Sequence, residues 1–136
     1  MACAFCSIID GSRPAHVVWD DDRVLAFLDI RPLFWGHTLV VPKAHVVTLA
    51  DVPTGEVGPF FERVQAVERG VVGGTGAQGS FVAMNNVVSQ SVPHLHCHVV
   101  PRTKGDGLRG FFWPRTRYED DVHMERTAAA IRAAFP

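Results

Sequence analysis

The chain has no apolar run approaching the ~20 residues that a membrane-crossing helix takes. Its opening, "MACAFCSIID", lacks the basic start and the long apolar stretch of a secretory leader, so a cytoplasmic protein is expected. Neither sign of charge is in excess. The formal net charge is −1, which offers no broad attraction to nucleic acid or to an anionic membrane surface. Any phosphate-bearing ligand must then be held by a local site. Internal repeats, low-complexity tracts and domain linkers are all absent. Cysteine is scarce and odd in number, three in all, and two of the three form a Cys-x-x-Cys. In a chain without an export signal that pattern points to metal or redox chemistry before a structural disulfide. The Gly-rich "GGTGAQG" has no Lys-Ser/Thr after it and reads as a helix stop and loop, not a phosphate cradle.

What is present is an ordinary globular composition, 47% apolar and 20% charged over 136 residues. That length is enough for a single domain with a real core, spanning residues 1–136. "AFCSIID" sets Phe5, Ile8 and Ile9 at helical spacing, a short amphipathic turn closed by Gly11. "AHVVW" and "RVLAFLDI", separated by "DDD", have the form of a hairpin. "GHTLVVPKAH" is a third strand with Pro42 near its end, where an edge or bulge tolerates it. From Pro53 to Val72, the residues Val57, Phe61, Val64, Val67 and Val71 recur at helical spacing, and Pro59 must start or kink that helix. "SFVAMNN" and "PHLHCHVVP" read as two more strands. A last helix carries Met124, Ala128, Ile131 and Phe135 on one stripe. The fold class is therefore α+β: an antiparallel sheet of about five strands, one long inserted helix and one C-terminal helix.

The chemistry concentrates in "SVPHLHCHVVPR", residues 91–102. On a strand, His94, His96 and His98 would share one face while Leu95, Cys97 and Val99 faced a core. Three histidines in strict alternation are far more than a solvated strand requires. A metalloenzyme in which all three hold one ion is a rival that strand spacing counts against, since it sets His94 about 13 Å from His98 and only a severe bend would bring them together.

"HLHCHVV" resembles the His-φ-His-φ-His-φ-φ signature of the histidine triad (HIT) family of nucleotide hydrolases and transferases. "FLDIRP", "GHTLVVPKAH", "MNN" and "SQSVPH" fall in that family's order, so the resemblance covers residues 3 to 105 and leaves 106–136 as tail and helix. It implies an antiparallel sheet with a long helix, paired into a homodimer. It implies His96 as the nucleophile toward the α-phosphorus of a purine nucleotide, with His98 and His37 at the phosphate and leaving group. A neutral imidazole is abundant and nucleophilic near pH 7. Asn85, Gln90 and Ser91 would add neutral donors, and Asp29 would accept from ribose hydroxyls. On spacing alone Asp29 reads equally as a strand-end turn carboxylate. The chain departs from many relatives in the loop before the triad, where "NNVVSQS" is shorter and has no glycine.

Some HIT relatives also carry a zinc site of the Cys-x-x-Cys, His, His kind, which here would be Cys3, Cys6, His45 and His94. Structural zinc takes four such ligands; the alternative is a pair of reduced thiols packed on the first helical turn. His45 follows His37 by eight residues, whereas His94 precedes His98 by four. One antiparallel register cannot join both pairs, so a bulge or bend, at Pro42, must absorb the difference. No organic cofactor is expected. The implied activity is that of a purine nucleoside phosphoramidase. Its alternatives are a dinucleoside polyphosphate hydrolase and a non-catalytic nucleotide- or zinc-binding protein. Phe111, Phe112 and Trp113 in "GFFWPR" offer aromatic area for a dimer contact or for packing of the tail.

Overall fold

The computed structural model describes residues 3–108 and 115–136. The aromatic segment Phe111–Trp113 lies outside the described residues. These fall into two compact units that part between Asp106 and Gly107.

In the first unit, helix α1 (Ala4–Ile9) is followed by β1 (Val17–Asp20), β2 (Val24–Leu28), β3 (Thr38–Pro42), α2 (Thr54–Thr75), β4 (Gly79–Ala83) and β5 (Cys97–Arg102). The strands form one antiparallel sheet in the order β1-β2-β3-β5-β4. The β1–β2 turn forms because Asp21 Oδ1 accepts from the backbone N–H groups of Arg23 and Val24, which mimics a backbone turn. Among the described residues no helix is long and apolar enough to cross a membrane.

Period-two alternation sorts the sheet into two faces. Val24, Ala26, Val40, Cys97 and Val99 point one way and pack on α2 through Phe60, Val64, Val67 and Val71. Leu25, Phe27, Leu39 and Val41 point the other way and meet Phe5 of α1. The stripe on α2 therefore starts at Phe60. The sequence reading placed Phe61 there, but Phe61 stands one residue, about 100°, off the stripe and is 38% exposed. Pro59 neither starts nor breaks α2, which begins at Thr54 and runs through it. The four buried side chains, at about 1.5–3 kcal/mol each, outweigh the ~3 kcal/mol that an interior proline costs.

The histidine segment departs from expectation. β5 starts only at Cys97, so of the three histidines only His98 lies on a strand. The β3–β5 ladder runs Thr38↔Val99, Leu39↔His98, Val40↔Cys97 and then stops. Pro42, which would face residue 95 in that register, has no N–H to offer, and the ring of His94 takes its carbonyl at 2.8 Å. Leu95 N–H instead reaches the carbonyl of Val46 at 2.7 Å. The register thus slides at Pro42, and the slide turns His94 away from the face that His98 occupies.

The second unit contains α3 (Asp121–Ala133), started by the Asp120 side chain accepting from His123 N–H. Met124, Ala128 and Ile131 lie on it as expected, whereas Phe135 falls beyond its end; no residue of α3 is buried.

Candidate active site and metal centre

The rings of His37, His94, His96 and His98 are each held by a hydrogen bond that fixes which nitrogen carries the proton. A backbone carbonyl only accepts, so a ring nitrogen facing one must be N–H; a nitrogen facing a backbone N–H must be the lone pair. His96 Nδ1 lies 2.8 Å from the carbonyl of His94 and therefore donates, which leaves Nε2 as a lone pair. His37 Nδ1 accepts from Leu33 N–H at 3.0 Å, so its proton sits on Nε2. That N–H donates to His98 Nδ1 at 2.9 Å, and His98 in turn carries its proton on Nε2. His94 Nε2 donates to the Pro42 carbonyl, so its lone pair is on Nδ1.

Three of these rings stand next to one another. His96 and His98 have centroids 5.0 Å apart, and His37 and His98 5.1 Å apart. Gly36 brings His37 into place: its φ is +102°, and a Cβ there would sit 2.5 Å from Thr75 Cγ2 at the end of α2. His37 is buried, with both nitrogens occupied behind His98. Burial, with positive charge on His96 and His37 also opposing protonation, drives His98 down to about 4, against a partial offset from Asp29. Burial lowers His37 as well, again opposed by Asp29. The His37–His98 pair is thus neutral at pH 7.

A cleft of about 330 Å³ opens beside these rings on the α1 face of the sheet. His96, His98, Asp29 and Ser91 line it, opposite an apolar wall that includes Phe5 and Phe27. The edge of Phe5 meets His96 at 5.1 Å and Phe27 at 5.4 Å, so the ring of His96 cannot swing freely. Asp29 is the turn carboxylate of one reading, and it lines the cleft. Oδ1 accepts from Arg31 N–H as a turn carboxylate, while Oδ2 stands 3.6 Å from His37 Nε2 at the cleft. Gln90 is committed to its loop, donating to the Val47 carbonyl and accepting from Val87 N–H. That clamp holds Val87 and Ser89 at φ of 71° and 62°, a conformation that neither residue type favours. Asn85 is exposed on the same loop, and its neighbour Asn86 binds Leu49 N–H. A second hollow of about 380 Å³ beside Phe34 and Trp35 has Asp106 as its only titratable lining residue among the described residues, and Asp106 is paired with Arg102. Volume alone does not mark the site; the chemistry does.

Cys3, Cys6, His45 and His94 converge next to this cleft, with ligand atoms all within 4.8 Å of one another. Cys6 Sγ is 3.3 Å from His45 Nδ1, Cys3 Sγ is 3.5 Å from His94 Nδ1, and the two Nδ1 atoms are 3.1 Å apart. A zinc tetrahedron with bonds of ~2.05 Å to nitrogen and ~2.3 Å to sulfur has edges of about 3.3–3.8 Å. The four residues match that size, and the lone pair of His94 faces inward. They fit zinc. Burial and the neighbouring Cys3 raise the Cys6 thiol when no ion is bound. Cys97 takes no part; burial pushes it up to about 12.

Asp29, His37 and His98 also lie within ligand range of one another. The hydrogen bond from Leu33 puts a proton on His37 Nε2, so that group is closed to a metal ion. The three triad histidines therefore do not converge on one ion: His94 faces the cysteines and His98 faces His37.

An α+β sheet bearing a histidine-lined cleft beside a Cys/His cluster defines the class. A sequence model described as the HIT domain matches residues 10–105, so the chain belongs to the histidine triad family of nucleotide hydrolases and transferases. It is 45% identical over 107 residues to a HIT-like protein of Methanocaldococcus jannaschii, covering 77% of this chain and 82% of that protein. It is 35% identical to adenylylsulfatase HINT3 of Arabidopsis thaliana, over 78% of this chain and 55% of that one. With adenosine 5'-monophosphoramidase hnt1 of Schizosaccharomyces pombe it shares 31% identity over 84% of each chain. Among solved structures, a HIT family protein of Bacillus subtilis superposes with a TM-score of 0.90 at 31% identity, covering 100% and 99% of the two chains. A zinc-bound histidine triad protein of Mycobacterium smegmatis superposes at 0.75 with 38% identity, covering 99% of each.

The sequence did not disclose the backbone partners that set the tautomers, namely Leu33 N–H and the carbonyls of Pro42 and His94. Only the proline at position 42 hinted that the strand would break there. Phe5 was legible as an apolar residue, but not as the ring that braces His96.

Proposed function

We propose that this chain hydrolyses, or transfers from, a bond between the α-phosphorus of a purine nucleotide and its leaving group, with His96 as the nucleophile. The observation that carries the proposal is the hydrogen bond from His96 Nδ1–H to the His94 carbonyl, which turns a lone pair on Nε2 toward the cleft. That lone pair attacks phosphorus, and the leaving group departs with the electrons of its own bond, an amine leaving group taking up a proton from solvent as it goes. The ring then becomes cationic, and the His94 carbonyl steadies its Nδ1–H. Water next attacks phosphorus, the P–N bond returns its electrons to Nε2, and the nucleoside monophosphate is released.

His98 Nε2–H donates to a phosphate oxygen where negative charge grows. His37 holds His98 in that tautomer without touching substrate, and so acts as a positioning residue. Ser91 adds its hydroxyl at the cleft, and Gln90 works through the shape of its loop. Asp29 Oδ2 accepts from the ribose hydroxyls. Zinc held by Cys3, Cys6, His45 and His94 would tie α1 to the segment carrying His94 and so brace the cleft wall; its place is structural. The names of the HINT3 and hnt1 relatives support phosphosulfate and phosphoramidate bonds as candidate substrates. A homodimer is also proposed, with β4, one of the two edge strands, open to pairing; sedimentation should give twice the 14.9 kDa chain mass.

The test is a turnover screen of the purified protein against adenosine and guanosine phosphoramidates, adenylyl sulfate and dinucleoside polyphosphates, with His96→Ala alongside. Turnover of a phosphoramidate or adenylyl sulfate that vanishes in His96→Ala is the expected result. Turnover confined to dinucleoside polyphosphates would replace the substrate class, and none at all would sink the enzyme reading.

A further inference from the structure

The cleft contains a permanent cation that the proposed chemistry does not use. Arg13 lines it together with Ile8, Pro14 and Ala15, and among the described residues Asp29 is the only other Asp, Glu, Lys or Arg there. Among the described residues the Arg13 guanidinium has no hydrogen bond or ion pair. The acid closest to it in sequence, Asp10, is engaged on Ser12 N–H.

The backbone beneath this side chain is fixed. Arg13 N–H donates to the Ser7 carbonyl at 3.0 Å, and Pro14 restricts Arg13 from the other side. Helix α1 sets its distance from the histidines. The Cys3 end of α1 abuts His94, and its last turn abuts Arg13. At 1.5 Å per residue, the four residues from Cys3 to Ser7 separate the two by about 6 Å along the helix. With phosphorus at His96 and ribose at Asp29, the base occupies the apolar end of the cleft, and Arg13 stands at its edge.

We infer that Arg13 selects the base, donating two parallel hydrogen bonds to the O6 and N7 acceptors of a 6-oxopurine. A guanidinium fork matches two adjacent acceptors. Adenine offers N7 but presents an N6 donor where the second acceptor should be, so one arm of the fork is left facing a donor. The chain should therefore favour guanine and hypoxanthine nucleotides over adenine nucleotides. This rests on the nucleotide reading given above, so binding and turnover are measured separately.

Calorimetric titration with GMP, IMP and AMP, on wild type, Arg13→Met and Arg13→Lys, tests the assignment directly. Wild type should bind GMP and IMP about tenfold more tightly than AMP. Arg13→Met, which keeps the aliphatic bulk at an exposed position, should lose that preference by weakening GMP and IMP much more than AMP. Arg13→Lys should fall between them. Equal binding of GMP and AMP in wild type, or a preference retained in Arg13→Met, overturns the assignment. A preference for GMP over IMP would also overturn it, by placing recognition at the 2-amino group. If the preference is found but no phosphoramidate is turned over, Arg13 keeps its role and the hydrolase reading fails. Turnover without base preference removes Arg13 alone. Failure of all three nucleotides to bind overturns both.

Discussion

Two clusters of histidine lie side by side in this molecule and differ in what their rings can do. In one, His94 gives its Nε2 proton to a carbonyl and turns a lone pair toward two thiols and His45. In the other, His37 accepts a backbone N–H on Nδ1 and donates its own Nε2–H to His98 Nδ1. The first arrangement collects lone pairs and suits a metal ion; the second alternates donor and acceptor and suits proton and phosphate contacts. His96 lies between them and combines a carbonyl-held proton with a free lone pair. The residue type is the same throughout. The difference lies in the backbone group each ring meets.

The largest effect expected from breaking this arrangement is at His96. His96→Ala should lower kcat by about 10³-fold or more, as when a covalent route is closed, while nucleotide binding measured by calorimetry persists. His98→Ala should cost about 10²-fold in kcat, the scale for loss of one donor at developing charge. His37→Phe should cost less in kcat, about tenfold, but should also lower stability by about 1–3 kcal/mol in urea denaturation, because Leu33 N–H loses its buried acceptor. In the other cluster, metal analysis of wild type should find about one zinc per chain, and Cys6→Ser should abolish it and lower Tm by several degrees, with partial activity surviving. Metal-free wild type of equal stability would contradict that.

The smallest effect is a dependence of stability on pH. His98 is held near 4 when folded and is close to 6.5 when unfolded. Between those values the unfolded chain binds more protons. The contribution of His98 is therefore complete above pH 6.5 and is lost as pH falls toward 4; His37 shifts in the same direction. Urea midpoints should decline over that window, and less steeply in His98→Phe.

The fold was largely legible because alternation in "RVLAFLDI" and "GHTLVV" and the spacing on α2 are direct consequences of which faces are buried. The error at Phe61 arose because two adjacent phenylalanines fit the helical period almost equally well. The single strand read through all three histidines failed for a different reason. Alternation continues in the sequence past the point where Pro42, on a strand distant in the chain, withdraws the ladder. The residue types of the site could be read from the chain, but their tautomers could not, since Leu33 and Pro42 contribute only backbone atoms.

The central claim is that the lone pair on His96 Nε2 is the attacking group. The measurement that tests it most directly is to mix the protein with a nucleotide-labelled phosphoramidate, quench in base and map the adduct by mass spectrometry. A nucleotidyl group on His96 is the result predicted. An adduct on His98, His94 or any other residue, with His96 unmodified, would contradict it.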